Sequence, residues 1–375
     1  MKKLGIYIHI PFCDKICNYC DFTAFQGAKS KVDEYIKALK KEIKLKSTKK
    51  YLVDSIFIGG GTPSFIDAMY IFDILENLKK YYNISKMAEI TIETNPNTFD
   101  CEKLKIYKDA NINRISIGVQ SLNDDILKSL GRNHTKKDVL SSIEMVKKFS
   151  FNLNLDFIFG YANQTLKDIL YDLDMIKKFD PEHISYYSLI IENKTKFKSL
   201  LDKGKLNLID EDLERKMYET ICEKLESFNI FQYEISNFSK KNKQSIHNKK
   251  YWQCKEYIGL GLCSHSYLDS KRFSNTLNLS KYIKFLNEDK MPIDFLEKLT
   301  KKQKKFEYII MNMRLLSGFF IEDFNKTFNC NFLLENQKLI DDFIKEEFID
   351  IKDGRIFFTR KGLNITDTFF VKLNY

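Results

Sequence analysis

Between Tyr7 and Phe228 the chain alternates short apolar runs with longer amphipathic ones six times, and few folds accept that rhythm. The short runs Tyr7–Ile10, Asp54–Ile58, Glu89–Glu93, Arg114–Val119, Leu153–Phe159 and His183–Ile191 read as strands. Between them, Val32, Tyr35, Ile36, Leu39 and Ile43 fall at helical spacing, and Met69–Leu78 and Lys136–Phe149 do the same. Asp100 caps a helix running to Ala110, Thr165 caps one marked by Leu166, Ile169, Leu170 and Leu173, and Asp210–Phe228 is a long helix. Strand–helix alternation of this kind predicts parallel strands joined by right-handed crossovers. A closed eight-unit barrel takes ~250 residues. Six units here predict an α/β fold, a partial, open (β/α)6 barrel of TIM type.

The first strand stops at Pro11, which has no N–H for a ladder. Cys13, Cys17 and Cys20 follow at the spacing C-x3-C-x2-C, so three thiolates can converge in one loop. A structural zinc site usually takes four protein ligands. A [4Fe–4S] cluster takes one cysteine per iron, so three cysteines leave one iron open to a small molecule. The other five, Cys101, Cys222, Cys254, Cys263 and Cys330, have no metal spacing and form no disulfide framework. Free thiols and an oxygen-sensitive cluster suit a reducing cytoplasm.

In parallel barrels the chemistry collects at the C-terminal ends of the strands. The cysteine loop follows the first strand, and Gly59-Gly60-Gly61-Thr62-Pro63 follows the second. Glu93, Gln120 and Asp156 sit at or near the ends of the next three. Glycines let backbone approach a ligand closely. Glu93 suits an ammonium or a ribose hydroxyl, Gln120 both donates and accepts, Arg132 is a fork for a carboxylate, and Asp156 can accept two hydroxyls. Each alone reads as an ordinary structural polar residue. Together, beside a cluster, they describe a pocket for an amino acid joined to a nucleoside. Tyr7 and Tyr19 flank the cysteines and either face that ligand or pack in the core.

The net charge of +10 comes from lysine spread over many helices, with little arginine, so no stable nucleic-acid partner is expected from it. No apolar run approaches the ~18 residues of a membrane span. Lys2-Lys3 before Leu4–Ile10 imitates a signal peptide only briefly, since His9 and the cysteines interrupt it. Residues 240–298 are polar and less periodic. From Leu299 onward helices precede Phe348–Phe358, where Asp353-Gly354 between alternating apolar residues signals a hairpin. A core over 1–298 and a small α+β, winged-helix-like unit over 299–375 are expected.

The cysteine spacing resembles that of the radical S-adenosylmethionine (SAM) family, where SAM chelates the open iron of a [4Fe–4S] cluster. The runs Tyr7–Cys13, Gly59–Ser64, Ser116–Ser121 and Tyr233–Phe238 resemble the oxygen-independent coproporphyrinogen III oxidase (HemN-like) family over nearly the whole chain. That resemblance implies a radical SAM barrel, cluster ligation by Cys13, Cys17 and Cys20, and SAM contacts from Tyr7, Tyr19, Gly60, Gly61, Thr62, Glu93, Gln120, Arg132 and Asp156.

Within that family, Phe22 stands where the dehydrogenases carry a fourth cysteine, and the motif begins early, at Cys13. His247-Asn248-x-x-Tyr251-Trp252 resembles the motif of the HemW-type haem chaperone branch. The resemblance implies a haem chaperone that passes haem to an acceptor haem protein, such as a respiratory one. An imidazole is a common haem ligand, which makes His247 a haem candidate with Tyr251 and Trp252 as an aromatic wall. His265, Cys254 and Cys263 are rival ligands, and a buried structural histidine is the plain alternative. The cluster either drives transfer or supports a homodimer. Two enzyme readings stand beside the chaperone: oxidative decarboxylation of coproporphyrinogen III, and RNA modification.

Overall fold

The computed structural model describes residues 1–373, so the last two positions of the unit expected over 299–375 lie outside the described residues. The alternating runs form one sheet. Its strands are β1 (Lys2–Ile10), β2 (Thr48–Gly60), β3 (Tyr82–Thr94), β4 (Arg114–Gln120), β5 (Asn152–Phe159) and β6 (His183–Ser188), all parallel and in sequence order. The crossovers carry α1 (Val32–Leu45), α2 (Ala68–Tyr81), α3 (Cys101–Asp109), α4 (Lys136–Lys148) and α5 (Leu166–Phe179), and α6 (Glu211–Ser227) follows β6. Capping boxes at Thr135/Asp138 and Thr165/Asp168 start α4 and α5 by satisfying two orphan amides each.

Strict alternation along the strands sets the two faces. Ile6, Ile8, Ile56, Ile58, Ile92, Ile115, Ile117, Leu153 and Leu155 are buried in the core shared with the helices. Each such side chain contributes about 2 kcal/mol on leaving water. The intervening positions Ser55, Thr91, Arg114, Ser116, Asn154, His183 and Ser185 are also buried, yet polar. They face the inner side, so the half-barrel has a polar bore.

The sequence expectation stops at six strands. The structure extends the sheet at both ends without closing it. Beyond β6 lie β7 (Phe231–Gln232) and β8 (Asn237–Ser239), antiparallel, with β8 next to β6. On the other side, β9 (Tyr257–Leu260) pairs parallel with β1, and β10 (His265–Leu268), β11 (Lys271–Asn275) and β12 (Ile293–Lys298) continue antiparallel. The supposedly irregular stretch 240–298 therefore holds four strands, α7 (Ile246–Trp252) and α8 (Leu279–Asn287). Its strands are too short for periodicity to show, and their partner β1 is remote in sequence. A buried pair at the end of α1, Lys46 Nζ to Glu42 Oε1 at 2.7 Å, anchors this layer: Lys46 donates to Gly259 O, and Glu42 accepts from Gly261 N and Tyr282 Oη. The sixth strand ends at Ser188, not Ile191, because the chain turns out to the rim there.

A second apolar cluster gathers residues of α9 (Lys301–Asn312) with Phe319, Phe324, Phe332, Ile356 and Phe369. It packs on a three-stranded sheet of β13 (Phe319–Phe320), β14 (Ile349–Lys352) and β15 (Arg355–Phe358). Asp353 and Gly354 both have positive φ, 52° and 74°, as a two-residue hairpin turn needs. Leu316 N donates to Tyr233 O at 3.0 Å and ties this part to the larger sheet. Among the described residues no helix is long and apolar enough to cross a membrane.

Candidate cofactor site

A cavity of about 460 Å³ opens at the C-terminal ends of β2 to β6. Cys13, Cys17, Cys20, Tyr19, Gly60, Gly61, Thr62, Glu93, Gln120, Arg132 and Asp156 all line it. Residues scattered over 144 positions of sequence thus meet because consecutive parallel strands bring their ends together. All three cysteines are free thiols, Cys13 buried and the other two half-buried. Burial raises the Cys13 thiol and lifts Cys20 to about 11. Metal binding deprotonates such thiols outright. Each cysteine of a cubane binds its own iron, so convergence on one ion is not required. Among the described residues no group of three or more His, Cys, Asp or Glu is placed to hold a single ion.

The triglycine edge is shaped by close approach. Gly60 has φ +113°, and a Cβ there would lie 2.5 Å from the His9 ring. A Cβ on Gly61 would lie 2.8 Å from Phe12 O and 3.0 Å from Cys13 Sγ. The cysteine loop therefore sits directly against this edge, with Cys13 Sγ 3.4 Å from Thr62 Oγ1. These features fit a cluster held by the loop and a ligand held by the glycine edge.

Glu93 Oε2 accepts from Gly60 N at 3.1 Å. Burial, and then the charge of Asp156, lift its carboxyl to about 8. Gln120 is a non-glycine residue at φ +68°, placed by an irregularity in the β4–β5 register. Backbone strain of this kind marks a position the fold overdetermines. Asp156 takes Ser116 Oγ at 2.6 Å and Asn154 Nδ2 at 2.7 Å. Asn154 also bonds His183, whose Nε2 lies 2.8 Å from Tyr233 Oη.

Arg132, expected as a carboxylate fork, lines the cavity and is also bonded within the protein. Its Nη2 donates to Gly118 O at 2.8 Å and to Asn95 Oδ1, and its Nη1 lies 3.4 Å from Cys17 Sγ. Tyr7 is not on the cavity wall. Its hydroxyl is 3.0 Å from His9 Nδ1 and its ring stacks on Phe57.

The haem candidates lie elsewhere. His247 is buried on α7, under the sheet, with Nδ1 3.0 Å from Ser55 Oγ and Nε2 2.9 Å from Tyr251 Oη. Burial pushes its imidazole down to about 3. Glu89 accepts from the amides of Ile246 and His247, both at 3.0 Å, and Lys250 pairs with Asp54. Trp252 is half-buried beneath Arg314. Of the rivals, His265 is exposed on β10, Cys254 Sγ points to Glu307 O, and Cys263 Sγ is 3.6 Å from His9 Nε2.

Asn95, Ser116, Asn154 and His183 complete the site but were not singled out from sequence. For the last three the sequence carries a signal, polar residues at every second position of strands whose other positions are mostly apolar; Asn95 lies past the end of β3 and has none. The rim carries a different group. Phe22 and Ile190 are 67% and 69% exposed there, beside Ile16 and Tyr187.

An open parallel sheet with three free cysteines, a glycine edge and strand-end carboxylates around one cavity defines an α/β cofactor-binding protein. Residues 7–176 match the model of the Radical SAM superfamily. The chain is 35% identical over 364 residues to "Heme chaperone HemW" of Bacillus subtilis, covering 95% of each protein. It is 34% identical to the protein of the same name from Lactococcus lactis, covering 99% of this chain and 97% of that one. Its fold matches coproporphyrinogen III oxidase (HemN) of Escherichia coli with a TM-score of 0.86 at 19% identity, over 99% of this chain and 89% of that one. The chain belongs to the radical SAM superfamily and, within it, to the family of the HemW proteins. That family membership implies a [4Fe–4S] cluster and SAM.

Proposed function

We propose that this protein is a cytoplasmic haem chaperone that carries a [4Fe–4S] cluster and SAM and hands haem to an acceptor haem protein. The observation that carries the reading is the end-to-end similarity to proteins named haem chaperone, at 35% and 34% identity. Phe22, at the cavity mouth in place of a fourth cysteine, supports it over the decarboxylase. Cys13, Cys17 and Cys20 would hold the cluster, which when bound would supply one-electron chemistry beside the nucleoside site. The chain's own groups do the rest. The Gly60–Thr62 edge and Glu93 receive the amino acid end, Gln120 and Asp156 the nucleoside, and Tyr19 closes the wall. Residues 1–298 form the cofactor core and 299–375 a winged-helix-like unit, a division supported by the two separate apolar clusters.

His247, Tyr251 and Trp252 stay the motif candidates for haem. With both ring nitrogens bonded inside the protein, His247 must give up Ser55 or Tyr251 to reach iron. The test uses one anaerobically reconstituted preparation. Haem titration gives a Soret band, and the haem moves to an apo-acceptor. Incubation with SAM and coproporphyrinogen III gives no product. Formation of protoporphyrinogen IX at catalytic rate overturns the proposal in favour of the oxidoreductase.

A further inference from the structure

Arg132 sits in a chain of contacts that joins two of the three motif cysteines. Cys13 Sγ lies 3.4 Å from Thr62 Oγ1, Thr62 Oγ1 accepts from Asn95 Nδ2 at 2.9 Å, and Asn95 Oδ1 accepts from Arg132 Nη2. Arg132 Nη1 then points to Cys17 Sγ at 3.4 Å. The second hydrogen of Nη2 goes to Gly118 O at 2.8 Å. A guanidinium has five N–H donors in a fixed plane. Nη2 is fully used and one Nη1 hydrogen is aimed at sulfur, so the terminal end of the fork is committed to Asn95, Gly118 and Cys17. Nε is buried with no hydrogen-bond partner, so the group still has a donor beside the loop.

We infer that Arg132 is a positioning residue for the iron–sulfur centre: its guanidinium donates to the Cys17 thiolate and sets the cluster's reduction potential. A fixed cation and an N–H bond to a ligating sulfur draw charge from the iron. Reduction adds one negative charge to the cluster, so the reduced form gains more from the cation than the oxidised form does. Both effects raise the potential. Asn95 holds the fork in place, and through Thr62 it couples the Cys13 and Cys17 sides of the loop.

The inference rests on the cluster proposed above, and iron and sulfide analysis of the parent protein tests that step by itself. If the parent assembles no cubane, the cofactor reading fails. If it does, Arg132→Gln, Arg132→Lys and Asn95→Ala are reconstituted alongside it and titrated with dithionite under electron paramagnetic resonance, without SAM. At a fixed poise Arg132→Gln is expected to show about tenfold less reduced relative to oxidised cluster, a 59 mV downward shift for one electron. Arg132→Lys, which keeps the charge and loses the fork, falls between. Asn95→Ala shifts in the same direction without removing the cation, and it decides the matter should Arg132→Gln take up no iron. Midpoints unchanged in Arg132→Lys and Asn95→Ala would overturn the inference. So would unchanged midpoints with a loss of SAM affinity in Arg132→Gln, which would assign Arg132 to the nucleoside.

Discussion

His247 Nδ1 lies 3.0 Å from Ser55 Oγ, on the inner face of the strand that ends in the triglycine edge. The motif histidine is thus part of the floor of the half-barrel. Its ring stacks on Phe57, and Phe57 stacks on Tyr7. Through Tyr7 and His9 this column reaches Gly60, so the motif helix and the cofactor edge share one packed core.

Replacing His247 with Ala removes two buried hydrogen bonds and leaves a cavity. The cost is about 2–4 kcal/mol. Urea unfolding of the cluster-free protein measures it. A loss of haem binding with unchanged unfolding would return His247 to the role of a ligand exposed on demand.

Gly61→Ala places a methyl group against Phe12 O and Cys13 Sγ. Neither the backbone carbonyl nor the ligating sulfur can step aside. Reconstituted Gly61→Ala is expected to bind well under half the iron of the parent, with native circular dichroism. Full iron content in the variant would show that the loop is not held against this edge.

Glu93 sits at about 8 in the ligand-free cavity because burial disfavours its charge. A bound ammonium restores the carboxylate and expels the proton. Below pH 8 that deprotonation opposes binding, so SAM affinity falls by up to about tenfold per pH unit as the solution is acidified. Glu93→Gln flattens this dependence and weakens binding about ten- to hundredfold, the worth of a charge-assisted bond. Calorimetric titration between pH 6 and 8 decides. A slope that survives the substitution would remove Glu93 from the ammonium site.

Burial pushes His9 and His134 down to about 4, His247 to about 3 and His183 well below its ordinary range. Unfolded histidines protonate near pH 6.5. Between 6.5 and 4 the unfolded chain therefore takes up protons that the fold refuses, and stability drops by up to about 1.4 kcal/mol per unit for each. Three buried carboxyls act the other way, Glu93 at about 8, Asp172 at about 7 and Glu234, also raised by burial. They keep protons that the unfolded chain releases above ~4.3, so their contribution is lost as pH rises toward 8. The four histidines outnumber them on the acid side, and the cluster-free protein should be most stable near pH 6.5. Melting temperatures across pH 4.5–8 give the profile, and a midpoint still rising from 6.5 to 8 would contradict it.

The core of the fold was legible because β1 to β6 alternate with helices locally, and each crossover joins neighbours in the sheet. The site followed from the same rule, since parallel strands gather their C-terminal ends. What local pattern does not carry is partnership at a distance. Tyr257–Leu260 is an apolar fragment until β1 is known to lie beside it. Arg132 reads as a carboxylate fork until Asn95 and Gly118, remote in sequence, use up one end of it. Likewise nothing near His247 in sequence shows that Ser55 and Glu89 receive it and its backbone.

The strand that leads into the cysteine loop gains its second neighbour only from residues 257–260. During synthesis the loop therefore hangs from a half-made edge until most of the polypeptide has left the ribosome. Iron delivered before that late docking meets a loop whose strand is paired on one side only, although the residues that line the cavity, Cys13 to Glu192, are already made.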